Sequence, residues 1–223
     1  MLTVEKIYVA HYTPLIERKK FLSEQLSKHS MVVQWVEEEP KDNNLKSKYD
    51  FSNSWDEKLS ELKLKEKHEK RILKKSEISL AYKHIKIYED IVKNNIKTAL
   101  ILEDDVVLDN EFIKKFNLSF HMTPRDWDFI FIGSGCNLRV DQNKIKNGVV
   151  AYLKEHPASK CTDSYVIKGL AAEKILNTIL PFTFAIDFEL NYQMFKHDMK
   201  VYWWEPSIVS QGSQCGIFRS EIQ

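Results

Sequence analysis

Apolar residues recur along this chain at two spacings, one that suits strands and one that suits helices. The run "KIYVAHY" (6–12) is short and β-rich. A turn at Pro14 separates it from "PLIERKKFLSEQLSKH", where Leu15, Phe21, Leu22 and Leu26 stand among charges as the stripe of an amphipathic helix. "MVVQWV" (31–36) predicts a second strand, so the chain opens as β-α-β, the unit of parallel sheets with right-handed crossovers. Between Glu37 and Lys75 the pattern breaks down. "EEEPKDNN" is polar with turn residues, and "EKLSELKLKEKHEKRILKKS" is crowded with charge of both signs. The expectation here is a mobile insertion or lid with some helix, its lysine run a solvated helical face.

The pattern sharpens at Ser76, which is placed as an N-cap; Ile78, Ala81, Ile85, Tyr88 and Val92 then repeat at spacings of three and four until Asn94-Asn95. This helix delivers the backbone into the apolar run "TALIL". Further strands are predicted in "WDFIFIG" (127–133), "GVVAYL" (148–153) and "DSYVIK" (163–168). "GLAAEKILNTIL" predicts a helix ending at Pro181 and "FELNYQMFKH" (188–197) another, followed by the strand "KVYWW" and the polar tail "EPSIVSQGSQCG". Strands alternating with helices around one sheet predict an α/β architecture, and 223 residues suffice for one domain with one large core.

Charge narrows the partners. Lysines and arginines (33) nearly balance aspartates and glutamates (32), so no whole-molecule field draws the protein to nucleic acid, and any charge logic is local. Cys136, Cys161 and Cys215 are odd in number and lack CxxC spacing, which predicts reduced thiols in a cytoplasm in preference to a disulfide framework or a zinc site. No apolar window approaches a membrane span, so the chain reads as soluble, with peripheral membrane association left open.

The local charge that matters follows "TALIL": Glu103, Asp104 and Asp105 stand side by side at the end of a predicted buried strand. In open α/β sheets ligands sit beyond the carboxyl ends of the strands. Three clustered carboxylates raise one another's pKa values unless a cation shares the site, and Mg²⁺ or Mn²⁺ takes one or two carboxylates while filling its other positions with water and phosphate oxygens. The alternative is a turn aspartate with two solvated neighbours.

The block "SEISLAYKHIKIYEDIVKNNIKTALILEDDVVL" (76–108) resembles the core signature of glycosyltransferase family 25, the group of bacterial lipooligosaccharide and collagen galactosyltransferases, with Glu77, His84 and Glu103 to Asp105 at its motif positions. Arg18, "DFIFIGSG", "TDSYVIKGLAAEKIL" and Asp187 extend the likeness. Ser76 in place of a usual glycine, "VAHY" in place of a common Asn-Leu, and residues 37–75 depart from it. The resemblance implies a single GT-A-like domain over 1–223, a mixed, mostly parallel sheet flanked by helices with a Rossmann-like nucleotide-binding half. It further implies a hexosyltransferase that moves a sugar, galactose by default, from a UDP-hexose donor to a glycan, lipid-linked or protein hydroxyl, with inversion; the cysteines place it in the cytoplasm.

In that reading Glu103 and Asp105 are the metal ligands for Mn²⁺ or Mg²⁺, and Asp104 shares the donor site. Asp187 is the candidate base with Glu189 in reserve, an N-cap being the alternative for Asp187. His11 and Tyr12 end the first strand beside the nucleotide, and Arg18 could pair with a phosphate. Glu77 and His84 support the crevice or serve the helix and core, and Gln211 in the tail could close over the diphosphate. Trp203 and Trp204 could stack on a sugar, although one of two adjacent strand tryptophans points into the core. Two rivals remain: a silent nucleotide-sugar or glycan-binding protein of the same fold, and a metal-dependent phosphotransferase or nuclease. The second lacks a GxxxxGK[ST] run, and Asp126 and Asp128 precede their strand.

Overall fold

A computed structural model describes residues 2–37, 55–62 and 72–219. The chain runs β1 (Lys6–Ala10), α1 (Ile16–Lys28), β2 (Gln34–Val36), α2 (Trp55–Glu61), α3 (Lys75–Lys93), β3 (Thr98–Glu103), β4 (Val106–Leu108), α4 (Phe112–Met122) and β5 (Phe129–Phe131). It continues with β6 (Ala151–Lys154), β7 (Ser164–Lys168), α5 (Gly169–Leu176), α6 (Ile186–Lys196), β8 (Val201–Trp204) and β9 (Val209–Gln211). Seven strands form one sheet in the order β2-β1-β3-β7-β5-β8-β6, and β4 and β9 form a separate antiparallel ribbon. Pairing is parallel in β1–β2, β1–β3 and β5–β8 and antiparallel where β7 and β6 join, so five strands share one direction and two oppose it. This is the α/β architecture the pattern predicts, with the mixed, mostly parallel sheet that the family resemblance implies.

Alternation along the strands builds two cores, since successive side chains leave opposite faces of a sheet. Ala99 and Ile101 of β3 join Ile85, Tyr88 and Ile91 of α3 and Leu190 of α6. Leu100 and Leu102 join Leu22 and Leu26 of α1 and Phe112 and Phe116 of α4. With both faces covered, β3 needs a continuous apolar run, which is why "TALIL" does not alternate. The tryptophans divide in the same way. Trp203 donates its indole N–H to the Ala158 carbonyl in one core and Trp204 donates to Thr123 in the other, so both are packing residues and neither is free to stack on a sugar.

Several boundaries move. α3 begins at Lys75, with Lys74 at the cap position, and Glu77 three residues on accepts the Lys74 N–H at 2.8 Å; the helix is capped from within, and Ser76 is not its N-cap. α5 stops at Leu176, short of Pro181, and α6 starts at Ile186. Helix α4 and strands β4 and β9 are additions to the predicted elements. Of the insertion, α2 is described and is docked, with Lys58 and Leu62 buried; the lysine run 63–71 lies outside the described residues. Among the described residues no helix is long and apolar enough to cross a membrane.

Candidate active site

The sheet directions bring one set of loops together. β1, β3, β5 and β8 all end at the same edge, and antiparallel β7 begins there, so His11, Glu103 to Asp105, Gly133 and Asp163 converge. The Glu103 N–H donates to the Asp163 carbonyl at 2.8 Å, joining the end of β3 to the start of β7. The ribbon adds the tail: Gln25 of α1 clamps β4 through Val106 and Leu108, and β4 holds β9 with Gln211 opposite Val106. Gly212 lets the tail approach, because a Cβ there would lie 2.7 Å from the Asp105 carbonyl oxygen.

The three adjacent carboxylates have different settings. Asp104 is internally committed: it accepts from His11 Nδ1 at 2.8 Å, from the Tyr12 backbone N–H at 3.1 Å and from Arg18 Nη1 at 3.1 Å. It therefore ties α1 and the end of β1 to the acidic turn, with the buried His11 and the partly buried Arg18 as its partners. The Tyr12 side chain is exposed. Glu103 accepts from Thr162 Oγ1 at 2.6 Å. Asp105 is buried beside Ser213, with Arg18 Nη1 at 3.7 Å, and its Oδ1 has no hydrogen-bond partner.

A cavity of about 260 Å³ opens beside this turn, with Glu77, Glu103, Thr162, Asp187, Gln211 and Ser213 among its polar lining. Its field is negative. Burial and the Glu103 charge push the Asp105 carboxyl up to about 6. The same two causes push Asp163 up to about 8, with Ser164 and Lys160 opposing. Burial also raises Asp187, which the Glu103 and Glu77 charges raise further against the Phe188 N–H. Asp187 is not an N-cap: Ala185 holds that position, and Asp187 stands in the first turn of α6, accepting the Phe188 N–H at 2.9 Å.

Glu189 serves elsewhere. Its fully buried carboxylate accepts from Lys58 at 2.8 and 3.0 Å, from the Thr183 and Phe184 N–H groups and from Gln193, bracing α2 against α6 away from the cavity lining. His84 is also fully buried. Its Nδ1 meets the Tyr165 hydroxyl at 2.6 Å, and its Nε2 lies 3.9 Å behind Glu103 without a hydrogen-bond partner.

Sequence reasoning missed Asp163, which is buried with Oδ1 unpartnered, as well as Thr162 and Ser213. Their only signal is a carboxylate just before a strand, and nothing local says that this strand enters the sheet at the ligand edge. Among the described residues no three His, Cys, Asp or Glu side chains are placed to hold a metal ion between them. The arrangement suits a divalent cation that takes one or two carboxylates and completes its shell with phosphate and water, and the orphaned Oδ1 of Asp105 is the buried oxygen such an ion would satisfy.

The carboxyl edge of the sheet thus carries clustered carboxylates beside a cavity with a largely acidic polar lining. The family model for glycosyltransferase family 25 (LPS biosynthesis protein) matches residues 4–190, and the chain belongs to that family. Its fold is accordingly a GT-A-like α/β arrangement. A curated relative is procollagen galactosyltransferase 2 of Homo sapiens, 27% identical over 110 residues, which are 48% of this chain and 17% of that protein. The chain thus spans a small fraction of the curated relative it matches. Among solved structures it is similar to A197 from STIV (14% identity, 89% of this chain and 80% of that one, TM-score 0.45). It is also similar to a glycosyltransferase involved in the glycosylation of the major capsid of PBCV-1 (11%, 92% and 94%, TM-score 0.46).

Proposed function

We propose that this protein transfers a hexose, galactose in the first instance, from a UDP-type nucleotide sugar to a hydroxyl of a glycan, glycolipid or protein acceptor, with inversion. The observation that carries this reading is the pairing of a buried, orphaned Asp105 oxygen with a cavity that Glu103 and Asp187 line together. Glu103 and Asp105 would hold Mn²⁺ or Mg²⁺, which when bound supplies positive charge for the leaving diphosphate. Asp104 acts through its partners, holding Arg18 and the end of β1 in register with the acidic turn. Gln211 and Ser213 close the tail side.

Asp187 is assigned as the base. An inverting displacement needs a carboxylate that accepts the acceptor hydroxyl's proton at Oδ1 or Oδ2 during attack. Burial and the neighbouring negative charges strengthen it for that task by raising its proton affinity. Glu189 is not assigned this role, because its oxygens are engaged by Lys58 and two backbone donors. Calorimetry against a panel of UDP-hexoses, with and without Mn²⁺, followed by a donor-hydrolysis assay, tests the reading. Metal-dependent binding and turnover of one donor is expected; absence of binding by every nucleotide sugar in Mn²⁺ would overturn it, and binding without turnover would leave a silent member of the family.

A further inference from the structure

Two of the three cysteines meet at the rim of the same cavity. Cys136 lies in the 3-10 turn Gly135–Asn137 after β5, and Cys161 lies three residues before β7; both line the cavity with Glu103 and Asp187. They are 25 positions apart in sequence by their numbers, yet the loops press together at Gly135. A Cβ on that glycine would fall 2.5 Å from the Cys161 Cβ and 3.1 Å from its Sγ, so only a residue without a side chain allows the approach. Both cysteines hold left-handed backbone, with φ of 50° and 61°, a region that side-chain-bearing residues other than asparagine and aspartate seldom occupy. The Cys136 thiol lies against that of Cys161, and both are free thiols.

We propose that Cys136 and Cys161 form a redox-active dithiol, which a hydroperoxide converts to a disulfide that ties the β5 loop to the β7 loop across one wall of the cavity. Cys136 is exposed and is the sulfur a peroxide reaches first; Cys161 is partly covered, so it meets the oxidised Cys136 sulfur in preference to the oxidant. The Cys136 thiolate attacks the peroxide, forming an S–O bond as the O–O bond breaks, and hydroxide leaves with the thiol's proton as water. The Cys161 sulfur then displaces the hydroxyl of that sulfenic acid. An S–S bond forms, the S–O bond breaks, and the Cys161 proton leaves with the hydroxyl as a second water. Two thiols and one hydroperoxide give one disulfide and two molecules of water when the peroxide is H₂O₂. The crosslink would fix the two loops that carry one side of the pocket, so donor access responds to oxidant. That consequence rests on the transfer reading, whereas the disulfide itself does not.

The full chain, reduced and freed of reductant, is titrated with hydrogen peroxide and followed by intact mass and non-reducing peptide mapping. The expected result is loss of two hydrogens per chain, a peptide pair joined through Cys136 and Cys161, and full reversal by dithiothreitol. The Cys215→Ser protein should form the same link, and both Cys136→Ser and Cys161→Ala should not. Phenylarsine oxide, which bridges two close thiols, should protect Cys136 and Cys161 together from alkylation in the wild-type chain, a readout that needs no variant to fold. A map that joins Cys215, a link between chains, or Cys136 oxidised onward to sulfinic acid with Cys161 still free would overturn the proposal. UDP-hexose binding in Mn²⁺ is then compared before and after oxidation. A fall that dithiothreitol restores supports control of access, and unchanged binding by the crosslinked protein removes it. If the reduced protein binds no nucleotide sugar, the transfer reading fails while the mapped disulfide still decides the pair.

Discussion

Replacing Asp105 by asparagine is expected to stabilise the metal-free protein while disabling it. The wild-type side chain is almost wholly buried, faces the Glu103 charge and has one orphaned oxygen. Its carboxyl is pushed from the ordinary 3.8 up to about 6, chiefly by burial. At 1.36 kcal/mol for each tenfold change in proton affinity, the ionised form is therefore about 3 kcal/mol worse off folded than unfolded. The sign follows from proton counting. Between pH 3.8 and about 6 the folded state holds a proton that the unfolded state has lost, so stability falls as pH rises through this window and the full penalty stands above it. An asparagine side chain at this position carries no such penalty and keeps a partner for Ser213, although it loses the attraction of Arg18. Urea denaturation in EDTA near pH 7.5 should show Asp105→Asn more stable by up to about 3 kcal/mol, a midpoint higher by about 1 M. Near pH 4.5 the gap should shrink to about 1 kcal/mol. Mn²⁺ should raise the stability of wild type more than that of the variant. A variant that is less stable than wild type at neutral pH, or a gap that does not shrink in acid, would show that Asp105 is not the strained carboxylate described here.

Other outcomes are equally concrete. Asp187→Asn should lower sugar transfer by about 10² to 10⁴ with little change in donor affinity measured in Mn²⁺, because it removes proton acceptance and leaves the diphosphate side intact; weaker donor binding with normal turnover at saturation would move this aspartate to the donor pocket. Excess EDTA should abolish transfer, and full activity in its presence would refute the metal assignment. Lys58→Met leaves the Glu189 carboxylate buried without its cation and should cost about 3–5 kcal/mol in chemical denaturation, much of it recovered in the Lys58→Met/Glu189→Gln double variant; additive losses would show that the pair is not coupled.

Legibility follows the length and repetition of each signal. β3 and α3 are plain because a four-residue apolar run and a four-turn stripe leave little choice, and the acidic turn after β3 marks the carboxyl edge of the sheet. α4 escapes a reading centred on strand runs, although Phe112, Phe116 and Phe120 stand at helical spacing. β9 is three residues long, too short for alternation to register. Asp163 is hidden for a deeper reason. The opening β-α-β favours parallel strands, which would place the start of "DSYVIK" at the far edge, and only the antiparallel insertion of β7 carries it to the site. Asp187 and Glu189, by contrast, are separable from the sequence. Two residues apart on a helix they point roughly 200° apart, so one facing the cavity sends the other to the core.

The ribbon of β4 and β9 sets an order on synthesis. A ribosome that has made everything through Trp204 has made every strand of the seven-stranded sheet, with Glu103, Asp163 and Asp187 all in the chain. What it has not made is the strand that pairs with Val106 to Leu108, the Gln211 and Ser213 wall of the cavity, or the Phe218 that packs edge-on against Phe21 of α1 and under Arg18. Until those residues emerge, the nascent sheet exposes its acidic turn to solvent with no tail to cover it. A chain stalled or clipped a few residues after β8 would thus carry the seven strands of the sheet with one wall of the cavity missing, and the cavity would close only once β9 and Ser213 are made.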